Sequence, residues 1–75
     1  MLSYVLLEIN PLFQKEITQK LKRYDFTIDE IIKVRGSSKV LARVITNGRN
    51  SLKHFILDEL HPITGVKKVN TLSIQ

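Results

Sequence analysis

The sequence predicts a small α+β domain with the element order β-α-β-β-α-β. Three observations predict it. Four runs rich in valine, isoleucine and leucine have the composition of strands. Two stretches between them repeat apolar residues every three or four positions, as amphipathic helices do. The glycines and prolines fall at the joints between these runs, where chain direction changes.

The first strand is Tyr4 to Ile9, mostly apolar and closed by Asn10-Pro11. Pro11 suits the first turn of a helix, where its missing N–H costs nothing. Asn10 before it is a good N-cap, because its side-chain oxygen can accept an orphan amide bond. Phe13, Ile17, Leu21 and Tyr24 then mark a helix of three to four turns, ending near Tyr24-Asp25, with Phe26 covering the end of the core. Ile28–Val34 and Val40–Thr46 are joined by Arg35-Gly36-Ser37-Ser38-Lys39 and read as an antiparallel hairpin. Asn47-Gly48 marks the next turn. A second helix follows, capped by Asn50 or Ser51, with Leu52, Phe55, Ile56 and Leu60 on one face. His61-Pro62 ends it, since proline disfavours helix in the residue before it. Thr64-Gly65 is a turn, and Val66 to Ile74 is the last strand. This is the ferredoxin-like plan: a four-stranded antiparallel sheet with both helices on one face.

At 75 residues the chain forms one domain, spanning 1–75, and buries only a modest core. Scaffolds of this size lean on disulfides, metal or self-association. With no cysteine, disulfides and thiolate metal sites are excluded. Self-association is the route left. No apolar run approaches the roughly 20 residues that cross a bilayer. The start, Met1-Leu2-Ser3-Tyr4-Val5-Leu6-Leu7, lacks the basic leader and cleavage site of a signal peptide. The expected location is therefore the cytoplasm, away from membranes. The net charge of +5 favours anionic partners, yet the lysines and arginines are dispersed, as on an ordinary solvated surface.

The strands themselves point to a partner. A sheet with one wet face alternates apolar and polar residues. Here Val5-Leu6-Leu7, Ile31-Ile32 and Val40-Leu41-Ala42 are continuous, so apolar side chains point to both faces. The helices cover one face. A second copy of the sheet is the simplest cover for the other, which predicts a homodimer or a higher even-numbered oligomer.

Residues with chemistry to offer are few. Gly36 suits a hairpin turn whether or not a ligand is near, and Ser37 and Ser38 offer hydroxyls and adjacent amides. His54, His61 and Asp58 do not reach the three or four converging ligands that a metal site needs. His54 and Asp58 instead form an i,i+4 pair on a helix surface. Ser3, Ser37, Ser38, Ser51 and Ser73 lack a glycine-framed elbow or a paired histidine. No phosphate-binding or dinucleotide fingerprint occurs. Asp29 and Glu30 are adjacent on a strand and should face opposite ways. The chain is read as no enzyme, with no cofactor and no metal.

The chain order and the sequence Ile63-Thr64-Gly65-Val66-Lys67-Lys68-Val69-Asn70-Thr71-Leu72-Ser73-Ile74 resemble the effector-binding (RAM) domain of Lrp/AsnC transcription regulators. That domain carries a Gly-x-x-Asp turn between strands two and three, matched in position by Gly36-Ser37-Ser38-Lys39. Its Leu-x-x-Phe pair is matched by Leu52-Lys53-His54-Phe55, and its final Gly-Val by Gly65-Val66. The resemblance covers essentially the whole chain and looks like the stand-alone form found in some prokaryotes, without the helix-turn-helix that would bind DNA directly. It implies sheet-to-sheet pairing of the dimeric α/β-barrel type and a small effector, usually an amino acid. It nominates Gly36, Ser37, Ser38 and Lys39, with Asn70 and Thr71 opposite, as effector-binding residues. It further implies mixed assembly with a full-length Lrp/AsnC-type regulator. Two positions depart from the pattern: Lys39 stands for the turn aspartate and Val69 for the first threonine of a Thr-x-Thr pair. A lysine reverses the charge that an aspartate offers to an ammonium group. Either the ligand is more anionic, or binding has gone and oligomerisation remains.

Two rivals share the element order. An RNA-recognition motif stacks bases on aromatics of its central strands, whereas Val40–Thr46 has none and Tyr4 is the one platform residue on the first strand. An ACT-type regulatory domain usually starts its first helix with glycine, which Pro11-Leu12-Phe13 lacks.

Overall fold

The computed structural model describes residues 1–73. Strands β1 (Leu2–Ile9), β2 (Ile28–Val34), β3 (Lys39–Ile45) and β4 (Val66–Ser73) form one sheet in the order β2-β3-β1-β4. Every neighbouring pair is antiparallel. Helices α1 (Gln14–Leu21) and α2 (Arg49–Phe55) provide the crossovers, so the β-α-β-β-α-β plan is the observed one. Ile74, expected to close the last strand, lies outside the described residues.

The two-residue period of β1 sorts its side chains. Ser3, Val5, Leu7 and Ile9 are buried, while Leu2, Tyr4, Leu6 and Glu8 are half-buried on the other face. Val40, Ala42 and Val44 of β3 lie beside them in register. Together with Ile17, Leu21, Leu52, Leu60 and Ile63 they form one core between sheet and helices. Each fully buried aliphatic side chain contributes on the order of 1.5–3 kcal/mol of transfer free energy. Ser3 is the odd member. Its hydroxyl is fully buried and has no hydrogen-bond partner among the described residues.

The first helix starts as the sequence predicts. Asn10 is extended, Pro11 opens a short 3-10 turn over Pro11–Phe13, and the Leu12 N–H donates to Asn10 Oδ1 at 3.1 Å. α1 then buries Ile17, Thr18 and Leu21. The Thr18 hydroxyl escapes an unpaired burial by donating to the Gln14 carbonyl at 2.8 Å. A second 3-10 turn, Lys22–Tyr24, leads out.

Phe26 does not cover the core. It is 96% exposed. A tight turn closed by the Thr27 N–H on the Tyr24 carbonyl (2.8 Å) carries the Phe26 side chain outward. Tyr24 and Phe55 flank the core instead, packed edge to face with ring centroids 5.2 Å apart.

α2 also differs in detail. Neither Asn50 nor Ser51 caps it: the helix begins at Arg49, with Gly48 at the cap position and no side-chain cap bond. The Gly48 carbonyl already accepts the Leu52 N–H, and the Thr46 hydroxyl donates to the same oxygen, so the chain turns before Asn50 is reached. The helix continues as a π-helical turn, Ile56–Leu60, closed by the His61 N–H on the Ile56 carbonyl. Eight residues of α-helix end about 80° away from a whole number of turns. The wider π turn takes up that rotation, so that Leu52 and Leu60 both reach the core. His61 keeps helical angles (φ −61°, ψ −38°), so the stop comes from Pro62 itself, which has no N–H to extend the ladder.

Candidate functional site

The face of the sheet turned away from the helices is assembled from all four strands. In register from β2 to β4 it presents Glu30–Arg43–Tyr4–Leu72, then Ile32–Leu41–Leu6–Asn70, then Val34–Lys39–Glu8–Lys68. Ile45 and Leu2 pair beyond the first row. The middle is therefore aliphatic, and one end is a band of alternating charge. Ile32, Val34, Ile45 and Leu72 are exposed there. The expectation that apolar residues point to both faces holds at Leu6, Ile32 and Leu41.

Two edges of this face are irregular. In β2 the register slips between Ile28 and Glu30, leaving Asp29 as an extra residue. The slip brings Asp29 to Arg43, with Oδ1 3.4 Å from Nε, rather than sending Asp29 and Glu30 to opposite faces as strict alternation implies. The Arg43 Nε is otherwise buried without a hydrogen bond. In β4 the extra residue is Lys67, opposite the Glu8–Ile9 step.

The predicted effector residues fall in three places. Gly36 has φ +75°, with open space where a side chain would stand, so the turn needs its backbone freedom and not its small size. The Ser37 hydroxyl donates to the Val34 carbonyl at 3.2 Å, and the Ser38 carbonyl accepts the Ile9 N–H at 2.9 Å. Ser37 thus closes the turn on β2, and Ser38 holds the hairpin end against β1. Lys39 and Asn70 share the open face, separated by β1 and hence by roughly 10 Å of sheet. Thr71 is on the helix side, in register with Val5, and lines a groove beside α2. The structure joins Gly36, Ser37, Ser38 and Lys39, places Asn70 on the same face as Lys39, and puts Thr71 on the other.

Sequence reading missed two neighbours of this region, Glu8 and Lys68, which complete the charged band around Lys39. The alternation of β1 held the signal for Glu8, and the alternation of Lys68 with Asn70 and Leu72 held that for Lys68. It also missed a cleft of about 260 Å³ between the helices, lined by Lys20, Arg23, Tyr24, Glu59, Pro62 and Ile63. There the Tyr24 hydroxyl donates to Glu59 Oε1 at 2.8 Å. That bond, partial burial and the Glu59 charge together push the Tyr24 phenol above its ordinary pKa. His54 and Asp58 form their i,i+4 pair at 3.7 Å on the surface. Among the described residues, no three His, Cys, Asp or Glu side chains gather closely enough to hold a metal ion. No described helix is long and apolar enough to cross a membrane.

No family model and no curated protein matches the sequence. Solved structures do match. FFRP-DM1 superposes with a TM-score of 0.84 at 20% identity, covering 99% of this chain and 100% of that one. AsnC of E. coli gives 0.83 at 17% identity, covering 99% of this chain and 51% of its own. A transcriptional regulatory protein of the AsnC family from Pyrococcus furiosus gives 0.75 at 21% identity, with 99% and 49% covered. The chain thus spans the whole of FFRP-DM1 and about half of each AsnC-family chain. At these identities the likeness is one of fold, and it is the fold that the sequence resemblance to Lrp/AsnC regulators implies.

Proposed function

We propose that this chain works as an effector and oligomerisation domain of the Lrp/AsnC type. In this reading it pairs sheet to sheet with a second copy and modulates transcription through a DNA-binding relative of the same fold. The observation that carries the reading is the open sheet face, whose aliphatic centre of Ile32, Leu41 and Leu6 has no cover among the described residues. A contiguous apolar patch of this kind marks an interaction surface. The charged rows at its ends would sit at the rim of such a contact, where polar groups belong. The likeness to FFRP-DM1 over that chain's full length supports reading residues of this extent as one folding unit. The likeness to half of an AsnC-family transcriptional regulator supports the regulatory setting.

The effector position combines Gly36, Ser37, Ser38 and Lys39 with Asn70, and its chemistry favours an anion. Lys39 and Lys68 flank the single carboxylate of Glu8, so the band carries net positive charge. Thr71 meets the same ligand only when a neighbouring copy contributes it. The chain acts as a binding module rather than a catalyst, in the cytoplasm.

Native mass spectrometry of the purified protein tests this reading. Even-numbered assemblies are expected, and Leu41→Lys is expected to reduce them to single chains by burying an unpaired charge in the contact. A stable monomer across micromolar concentrations would refute the pairing. It would also move weight to an RNA-binding module, for which Tyr4 is the sole aromatic on this face among the described residues.

A further inference from the structure

The helical side of the molecule, away from the open sheet face, holds two adjoining hollows. The first is the cleft of about 260 Å³ in which Tyr24 meets Glu59. The second, of about 220 Å³, has Phe13 and Ile17 as apolar walls, with exposed Glu16 and Thr64 beside them. Lys20 and Ile63 line both, so the two hollows form one furrow. Its walls are braced by contacts within the chain. The Ile63 N–H donates to the Leu60 carbonyl at 3.2 Å, and the Ile63 carbonyl accepts the Val66 N–H at 3.1 Å. Tyr24 is fixed twice, by Glu59 at its hydroxyl and by Phe55 at its ring. Small-molecule sites are concave, largely preformed and carry few polar groups.

Charge is divided along this furrow. Lys20 and Arg23 stand three residues apart, where α1 passes into the Lys22–Tyr24 turn, so both project from one ridge. Both are exposed, and among the described residues neither forms a salt bridge. Glu59, the carboxylate of this cleft, is already bonded to a neutral phenol. Toward the other hollow Glu16 repels an anion, while Phe13 and Ile17 offer apolar surface.

We propose that the furrow binds a small phosphomonoester carrying a flat apolar group. The phosphate sits at Lys20 and Arg23, and the ring lies among Phe13, Ile17 and Ile63. A phosphomonoester bears roughly 1.5–2 negative charges near neutral pH and three acceptor oxygens. It can therefore meet the guanidinium fork and the ammonium together, which the single charge of a carboxylate does less well. An apolar cavity of about 150 Å³ already accepts a benzene ring, so the second hollow is large enough. The furrow lies across the sheet from Lys39 and Asn70, so it depends neither on the effector position nor on the pairing proposed above.

Phenyl phosphate is the probe, titrated into the purified protein and followed through the amide NMR signals. Saturable shifts are expected at Ile17, Lys20, Arg23, Ile63 and Thr64, and not along Gly36–Lys39. Inorganic phosphate is expected to bind at least about tenfold more weakly, since it buries no ring. Benzoate, with the ring but one charge, is also expected to bind more weakly. Lys20→Gln combined with Arg23→Gln is expected to weaken phenyl phosphate by at least about tenfold, the scale of one charged hydrogen bond. Both side chains are exposed, so the fold should persist, as an unchanged amide pattern elsewhere would show. Lys53→Gln, which removes a charge outside the furrow, is expected to leave the affinity nearly unchanged. No shift at millimolar probe would overturn the proposal, as would shifts confined to Gly36–Lys39. Equal affinity for benzoate or inorganic phosphate, or an equal loss with Lys53→Gln, would overturn it too.

Discussion

Replacing Gly65 with alanine separates two reasons for a glycine that the fold combines at one position. Gly65 sits in the turn before β4 with φ +93°, and its carbonyl accepts the Asn10 N–H at 2.7 Å, tying the turn to the start of the first helix. A side chain in this backbone region costs about 1–2 kcal/mol. The added Cβ would also stand 2.6 Å from the Phe13 Cβ and 2.9 Å from its Cγ, atoms close to the backbone that have little room to retreat. Forcing a methyl group into occupied space costs about 1–3 kcal/mol more. A stiffer unfolded chain returns about 0.4–1 kcal/mol. The net expected loss is about 2–4 kcal/mol. Gly36→Ala is the control, because Gly36 has a similar φ but nothing within 4 Å of the added carbon. It should lose about 1 kcal/mol. Urea unfolding followed by circular dichroism, with both variants at one protein concentration, reads the difference; fixed concentration matters because association adds to apparent stability. Equal midpoints for the two variants would refute the contact argument at Phe13.

Three further outcomes are expected. Leu7→Ala should cost roughly 3–5 kcal/mol in urea unfolding, since Leu7 is fully buried. Its neighbour Leu6, on the open face, should cost far less when truncated in dilute protein and should lower the association constant instead. Asn10→Ala should lose about 1 kcal/mol, and Asn10→Asp should retain most of the stability, because the carboxylate can accept the Leu12 N–H. For Tyr24 the raised pKa fixes a sign: its contact with Glu59 is intact below the ordinary tyrosine value near pH 10 and is lost as pH rises through the raised one. Tyr24→Phe should therefore cost no more than about 0.5 kcal/mol at pH 7, this bond being at the surface, and should flatten the alkaline decline seen by thermal unfolding.

The legible parts of the sequence were those governed by short-range rules. β1 announces its two faces by period, and Asn10-Pro11 announces a helix start through donor geometry alone. What was hidden depended on distant contacts. Phe26 looked like a core residue because its neighbours Tyr24 and Ile28 are, and only the turn bond from Thr27 to Tyr24 decides its direction. The π turn at Ile56–Leu60 answers to the position of the sheet under Leu60, which no local propensity encodes. The candidate site shows both cases. The hairpin residues are contiguous in sequence and in space, while Asn70 and Thr71 sit on opposite faces, as the strand period requires of an adjacent pair where no bulge intervenes.

The two extra residues at the sheet edges have a consequence for how the chain behaves in a crowd. A sheet with two straight outer strands invites strand-by-strand extension into fibres. Here each outer strand is interrupted by a bulge, and each bulge residue is charged: Asp29 on β2, Lys67 on β4. The backbone ladder of an incoming strand would lose its register at either side. Concentrated protein is therefore steered toward contacts made by side chains, which reverse on dilution, and away from the amyloid-like ladders that do not.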